Sequence, residues 1–397
     1  MKIAIIDPPN FTPYRNFSLC SALEKTGNDV TLFTSKFLYD PSLDFSKIKG
    51  TNYFFFRLSN KIEKKFSRVK AYRIFKIIKG VEYCFDLIRL FNYIKKNKYT
   101  VANIEWAVIP QLDIYFVKFL RKRGIKTALT VHNLPSHPVY NGKNLWKRNM
   151  EKIYSETDLL IPLTETTKNI FVKETGTDKN KVRAVYHGNF DIFRTGHYKT
   201  PAQARKELGI LPESDVILFF GIIWHYKGLE YLLKALKTVV SQKKNIKLLV
   251  AGRLFTTKEK LYEHREFRGL QEHLIVHADF IPMIDVKKYF IASDVVVMPH
   301  VHNLHSGQHH LAYTFGKPVI ATACGDSLEI IKEGKSGFLV PPENEKALAN
   351  AIINFFNLEK DEREEMSRYC SLLSDKNSWK IIAHNLVDTY QNFFNIL

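Results

Sequence analysis

Lys227 is a cation in an unfavourable place. It follows an apolar strand pattern at 216–220 and stands at the start of a helical pattern whose stripe runs through Leu229, Leu232, Leu233, Leu236 and Val240. A positive charge there opposes the positive end of the helix dipole unless it serves an anion. Ser306 and Gly307 form a second anion-seeking pair. They lie where a histidine-rich loop, 299–308, opens a helical pattern through Leu311, Ala312 and Phe315. Unpaired backbone N–H groups and the dipole at such a start favour a phosphate. The loop joins an apolar run at 295–298 to another at 319–322, and Gly316 and Pro318 stop the helix between them. Strand, loop, helix, strand is the unit of a parallel sheet, in which ligands bind outside the carboxyl ends of the strands. The chemistry expected is the binding of a phosphate-bearing ligand.

The elements that must hold these residues belong to a longer alternation. Residues 2–6, 29–34, 52–58, 101–106, 125–132, 158–163 and 182–186 read as strands, with helix-length segments between most of them, and 246–252 and 274–277 continue the series. Such alternation is α/β, with doubly wound parallel sheets. A chain of 397 residues suits two domains, and the polar stretch 190–214, broken by Gly196, Pro201 and Pro212, reads as the link between them. The first strand is not followed by G-x-G-x-x-G, and no G-x-x-x-x-G-K-[ST] loop occurs. A nicotinamide dehydrogenase and a P-loop NTPase are thereby disfavoured.

The run 293–342 resembles the donor-binding segment of the GT-B glycosyltransferases, in particular the retaining glycosyltransferase family 4. The matching positions are Gly316, Pro318, Val319, Ile320, Ala321, Thr322, Gly325, Glu329, Gly334, Ser336, Gly337, Leu339 and Val340. Lys227 and Gly228 match the Lys-Gly of the family's strand-to-helix turn, here opening at Gly221, and that lysine neutralises the donor diphosphate. Trp224 stands where the family often has Arg, which leaves His225 or Arg253 to supply the charge. Residues 130–138, TVHNLPSHP, resemble the family segment that carries two histidines, here His132 and His137, with Pro138 replacing an acid. Residues 181–189, KVRAVYHGN, resemble the strand into His-Gly that closes the first domain, which places His187 at the cleft.

The resemblance implies two Rossmann-like domains facing across a cleft: 1–195 on the acceptor side, with a terminal helix 376–397 returning to it, and 196–375 holding the donor. It implies transfer of a sugar from a nucleotide-diphosphate sugar to a glycan or lipid-linked acceptor hydroxyl, with retention, and with His132 and Lys227 at the reacting centre. Gly221, Trp224, His225, Gly228 and Arg253 would flank the donor diphosphate. Phe280 and Ile281 would meet its base, and Ser306, Gly307, Gln308 and Glu329 the rest. Tyr14, Arg15, His132, His137 and His187 would face the acceptor. Glu329 also has a structural reading, as an acid in the first turn of a helix after Asp326 and Ser327. No Asp-x-Asp motif of the metal-dependent GT-A class occurs, so neither a metal nor a cofactor beyond the sugar nucleotide is expected. The family's two glutamates fall at Asn303 and Leu311. A Ser-Gly-x-x-x-x-Ala-Tyr variant of some members is matched by Ser306, Gly307, Ala312 and Tyr313. A catalytically silent homologue and a nucleotide-sugar epimerase remain open as rivals.

The formal charge of +19 attracts anions without naming them. No nucleic-acid-binding motif is present, so no nucleic-acid partner is expected. Segment 61–79 places Ile62, Phe66 and Val69 among Lys61, Lys64, Lys65, Arg68, Lys70, Arg73 and Lys76. It reads either as a helix lying on an anionic membrane or as a surface helix facing the core. The amino terminus lacks the apolar stretch of a signal peptide, and the four cysteines are isolated, so a cytoplasmic protein with reduced thiols is expected, peripheral to the membrane if the first reading of 61–79 holds.

Overall fold

Ile3, Ala4, Ile5 and Ile6 are all fully buried, which requires cover on both faces of their strand, and short unalternated apolar runs of this kind make the centre of each sheet. The computed structural model describes residues 1–397 except 41, 63–68, 135–143, 196–199, 255–267, 303 and 397. The chain divides into two units, Met1–Tyr186 with Trp379–Leu397, and His187–Ser378.

The first unit holds β1 (Lys2–Asp7), β2 (Asp29–Thr34), β3 (Thr51–Tyr53), β4 (Val101–Ile104), β5 (Lys126–Val131) and β6 (Leu159–Pro162). They form one parallel sheet in the order β3-β2-β1-β4-β5-β6. The second unit holds β7 (Asp215–Phe220), β8 (Ile246–Ala251), β9 (Leu274–His277), β10 (Val295–Met298), β11 (Val319–Thr322) and β12 (Gly337–Val340), all parallel, in the order β12-β11-β10-β7-β8-β9. In each sheet the chain winds outward from one strand and then reverses on its other side. The reversal falls between β1 and β4 in the first unit and between β7 and β10 in the second, and such switch points leave a crevice for ligands.

The helices used below are α1 (Pro13–Glu24), α2 (Arg57–Ile62), α3 (Val69–Lys96) and α4 (Pro110–Lys122). The helix Trp379–Phe394 packs on α1, within the first unit. Two strand expectations are corrected. Residues 52–58 are strand only to Tyr53. Phe56 then takes φ 56°, and carboxylates of α3 collect the next amides, Asp86 that of Phe56 and Glu82 those of Leu58 and Ser59, so α2 starts instead. Residues 182–186 contribute one bridge, Leu160 to Val182, and no strand. The structure groups 187–195 with the second unit. There Asn189 N–H donates to the Asn377 carbonyl at 2.8 Å and Phe190 N–H to the Thr314 hydroxyl at 2.9 Å. All four cysteines are free thiols.

Candidate functional site

At the second unit's switch point the chain leaves β7 at Gly221, makes a short turn His225–Lys227 and enters the helix Leu229–Gln242 through Gly228. Gly228 has φ 70°, and a Cβ on it would lie 1.8 Å from the Pro299 carbonyl oxygen. Only glycine lets the turn press against the end of β10 in this way. The contact brings Lys227 Nζ to 3.3 Å from His300 Nε2. Burial, with the Lys227 charge adding to it, holds His300 well below the usual imidazole range. It is therefore neutral and accepts a hydrogen bond from the ammonium. Burial also pushes Lys227 itself down to about 8, against the opposing pull of Asp326 and Cys324. A lysine poised near neutrality in a crevice is a functional-site feature.

The loop after β10 is tied inward. Asp326, fully buried, accepts from His305 Nδ1 at 2.7 Å and from Ser306 N–H at 3.2 Å. Burial alone would raise its carboxyl, but His305, His309 and the Ser306 amide outweigh burial and hold it below the usual range. His309 bridges the Ser306 carbonyl and the Ser327 hydroxyl, both at 3.0 Å. The ring of His187 stacks on those of Phe190, His305 and His310, with centroids 5.0, 5.6 and 5.4 Å away. Among the described residues, His310 Nε2 and Asp326 Oδ1 are buried without a hydrogen-bond partner.

The structure gathers Gly221, Lys227, Gly228 and Gln308 at the adjoining ends of β7 and β10. The Gln308 amide donates to the Phe220 carbonyl. Ser306 and Gly307 precede the helix Gln308–Thr314 as expected, but the Ser306 amide is spent on Asp326 and is not open to a phosphate. Trp224, His225 and Arg253 are exposed, and Phe280 and Ile281 are half-buried just past β9. Glu329 is half-buried in the first turn of the helix Ser327–Ile330. His187 lies in the second unit's histidine cluster. Sequence reasoning did not single out His300, His305, His309, His310 or Asp326, although five histidines within 300–310 mark the loop.

At the first unit's switch point a buried ionic chain links α1, β4 and β5. Arg15 meets Glu105 at 2.5 Å, and His132 Nε2 meets the same carboxylate at 3.0 Å. Asn103 and Thr130 donate to its other oxygen at 2.7 and 3.1 Å. Burial would raise Glu105, but Arg15 and His132 overcome this and take it down to about 2. The His132 ring stacks on Trp106 at 4.5 Å, beside a cavity of about 30 Å³ that Trp146 and Tyr154 also line. Arg15 is thus the counter-ion of Glu105. Tyr14 donates to Asp40 at 2.6 Å. His137 lies outside the described residues.

Residues 202–371 match the family Glycosyl transferases group 1. The chain is 29% identical over 258 residues to the D-inositol 3-phosphate glycosyltransferase of Corynebacterium urealyticum, which covers 61% of this chain and 58% of that one. It is 26% identical over 287 residues to the capsular polysaccharide biosynthesis glycosyltransferase CapM of Staphylococcus aureus, covering 69% and 72%. The match spans about 60% of the length of the first of these curated relatives. In fold, the chain is similar to Anabaena HepE in complex with UDP and glucose, with TM-score 0.74, 15% identity and coverage of 99% and 100%. It is likewise similar to the sucrose-phosphate synthase of Thermosynechococcus elongatus, with TM-score 0.72, 17% identity and coverage of 100% and 99%. With its two doubly wound parallel sheets the chain has the GT-B fold of these structures, and residues 202–371 of its second unit match the glycosyl transferases group 1.

Proposed function

We propose that this protein transfers a sugar from a nucleotide-diphosphate sugar to an acceptor hydroxyl, with retention of configuration, in the synthesis of a surface polysaccharide or a lipid-linked glycan. The observation that carries the reading is Lys227, an ammonium brought by a glycine-only turn to the switch point of the second unit and braced by a neutral histidine. As the glycosidic C–O bond breaks, its electron pair stays on the diphosphate, and a prearranged cation stabilises that growing charge. The second unit would hold the donor. The first, through His132 at its own switch point, would serve the acceptor. The relative named for capsular polysaccharide biosynthesis and the fold neighbour crystallised with UDP and glucose are in keeping with this reading.

Two expectations follow from Lys227. Its charged form binds the diphosphate, and its free-protein pKa is about 8. Affinity for a nucleoside diphosphate should be level below that pH and fall by about tenfold between pH 7 and 9, as the protonated fraction falls by that factor. Titration calorimetry across this range checks the sign; a rise with pH contradicts it. Because a protein cation meets the diphosphate, turnover should also persist in a chelator such as EDTA.

A catalytically silent binding protein is the second reading. It is favoured by Leu311, buried on the helix Gln308–Thr314, which carries no carboxylate. Incubation with a panel of sugar nucleotides and acceptors, followed by mass spectrometry, separates the readings. Free nucleoside diphosphate with a glycosylated acceptor supports transfer. A bound donor that never turns over supports the silent protein, and an isomerised sugar without acceptor supports an epimerase.

A further inference from the structure

A helix apolar on both sides is ordinarily buried on both, and α3 departs from this. Phe75, Tyr83, Leu87, Leu90 and Ile94 face the core. On the opposite side Ile74, Ile77, Val81, Phe85 and Ile88 fall on one face by their spacing and are 53 to 68% exposed. Tyr115 and Phe119 of α4, 60 and 50% exposed, extend the patch, since Phe119 lies 5.7 Å from Phe91 of α3. A groove of about 560 Å³ runs between the two helices, lined by Cys84, Ile88, Phe91, Tyr115 and Phe119, with Arg123 at its end. Contiguous exposed apolar surface of this extent marks an interaction site.

The charge around the patch selects the partner. Exposed Arg73 lies at one end of the stripe, and exposed Lys95, Lys96, Lys122 and Arg123 lie at the other. Across both helices Lys and Arg number ten and acids three. All three acids are engaged by hydrogen bonds, Asp86 and Asp113 in the core and Glu82 half-buried at the α2 contact. Glu82 binds the amides of Leu58 and Ser59, Asp86 binds that of Phe56, and Asp113 accepts from Tyr83. No carboxylate of these helices therefore opposes an anion at the face. We propose that this α3/α4 face lies on an anionic lipid bilayer, its apolar stripe in the headgroup boundary and its basic ends on lipid phosphates. No helix among the described residues is long and apolar enough to cross a membrane, so the contact is interfacial. The face overlaps segment 61–79 only over residues 73–79 and runs on to α4: residues 63–68 lie outside those described, and the exposed stripe begins at Ile74.

The test is co-sedimentation of the full chain with phosphatidylcholine vesicles, with and without phosphatidylglycerol. Binding should require the anionic lipid and should fall at least about tenfold in a variant carrying Ile77→Asp and Phe85→Asp. Both residues are exposed, so folding should survive, as circular dichroism and unchanged nucleoside diphosphate binding would verify. A second variant, with Lys95, Lys96, Lys122 and Arg123 each changed to Gln, should bind more weakly and with less dependence on salt. Wild-type chain that ignores anionic vesicles, or stripe variants that bind them undiminished, would overturn the proposal. So would a wild-type dimer that these variants convert to monomer, since the occupant would then be a second copy. The nucleotide titration is read separately, so failure here leaves the donor reading untouched.

Discussion

Lys227→Ala should weaken nucleoside diphosphate binding by about 10- to 100-fold, the loss expected when a charge-assisted hydrogen bond is removed. It should lower turnover further, by about 10²- to 10³-fold, because charge develops on the departing diphosphate as the transition state is reached. The fold should be spared. Lys227 sits in a half-buried turn, and its ammonium, already desolvated, hydrogen-bonds His300. Removing it leaves His300 neutral, which burial favours in any case. Lys227→Arg is the informative companion. It keeps the charge but not the point geometry, and a planar fork does not reproduce a compact ammonium. Equal nucleotide affinity in wild type and Lys227→Ala would remove the lysine from the donor site.

Arg15→Ala should destabilise the first unit by about 3–5 kcal/mol at neutral pH, since it strands a buried carboxylate that His132 alone must then balance. Arg15 and Glu105 are 7% and 1% exposed, so solvent offers little relief. The pH dependence carries the sign. Glu105 in the folded protein is down at about 2, below its unfolded value, so its contribution is fully present above about pH 4.5 and is lost as pH falls toward 2. In the variant that depression is largely gone. The gap between wild type and variant should therefore be widest at pH 7 and should close as pH drops below about 4.5. Urea unfolding followed by tryptophan fluorescence reports on this unit, because Trp106 stacks on His132. A loss below about 1 kcal/mol at pH 7 would mean that the pair is better solvated than its packing indicates.

Much of the architecture was legible in residues 293–342, because a strand, a stop at Gly316 and Pro318 and a second strand are local signals. Lys227 was legible for the same reason, as a charge in conflict with its own helix. What could not be read depends on contacts between distant positions. Asp326 takes the Ser306 amide from 20 residues away, which removes that donor from the phosphate cradle the loop promised. His300 acquires its role only because Gly228 lets the turn close on Pro299. Likewise Arg15 and Glu105 are 90 residues apart, and nothing near either announces the pair. In α3 the sequence gives an abundance of apolar residues but not the face left uncovered, which is settled by what packs on the other side. Residues 182–186 have strand composition and enough apolar character, yet they only bridge the edge of β6.

The most direct measurement is calorimetric titration of the folded wild-type chain with UDP, GDP, ADP and CMP. Selective binding of one nucleoside diphosphate, weakening above pH 8 as Lys227 loses its proton, is the predicted result. Failure of all four to bind a protein shown to be folded would contradict the donor site at the β7/β10 switch point, and with it the proposed sugar transfer.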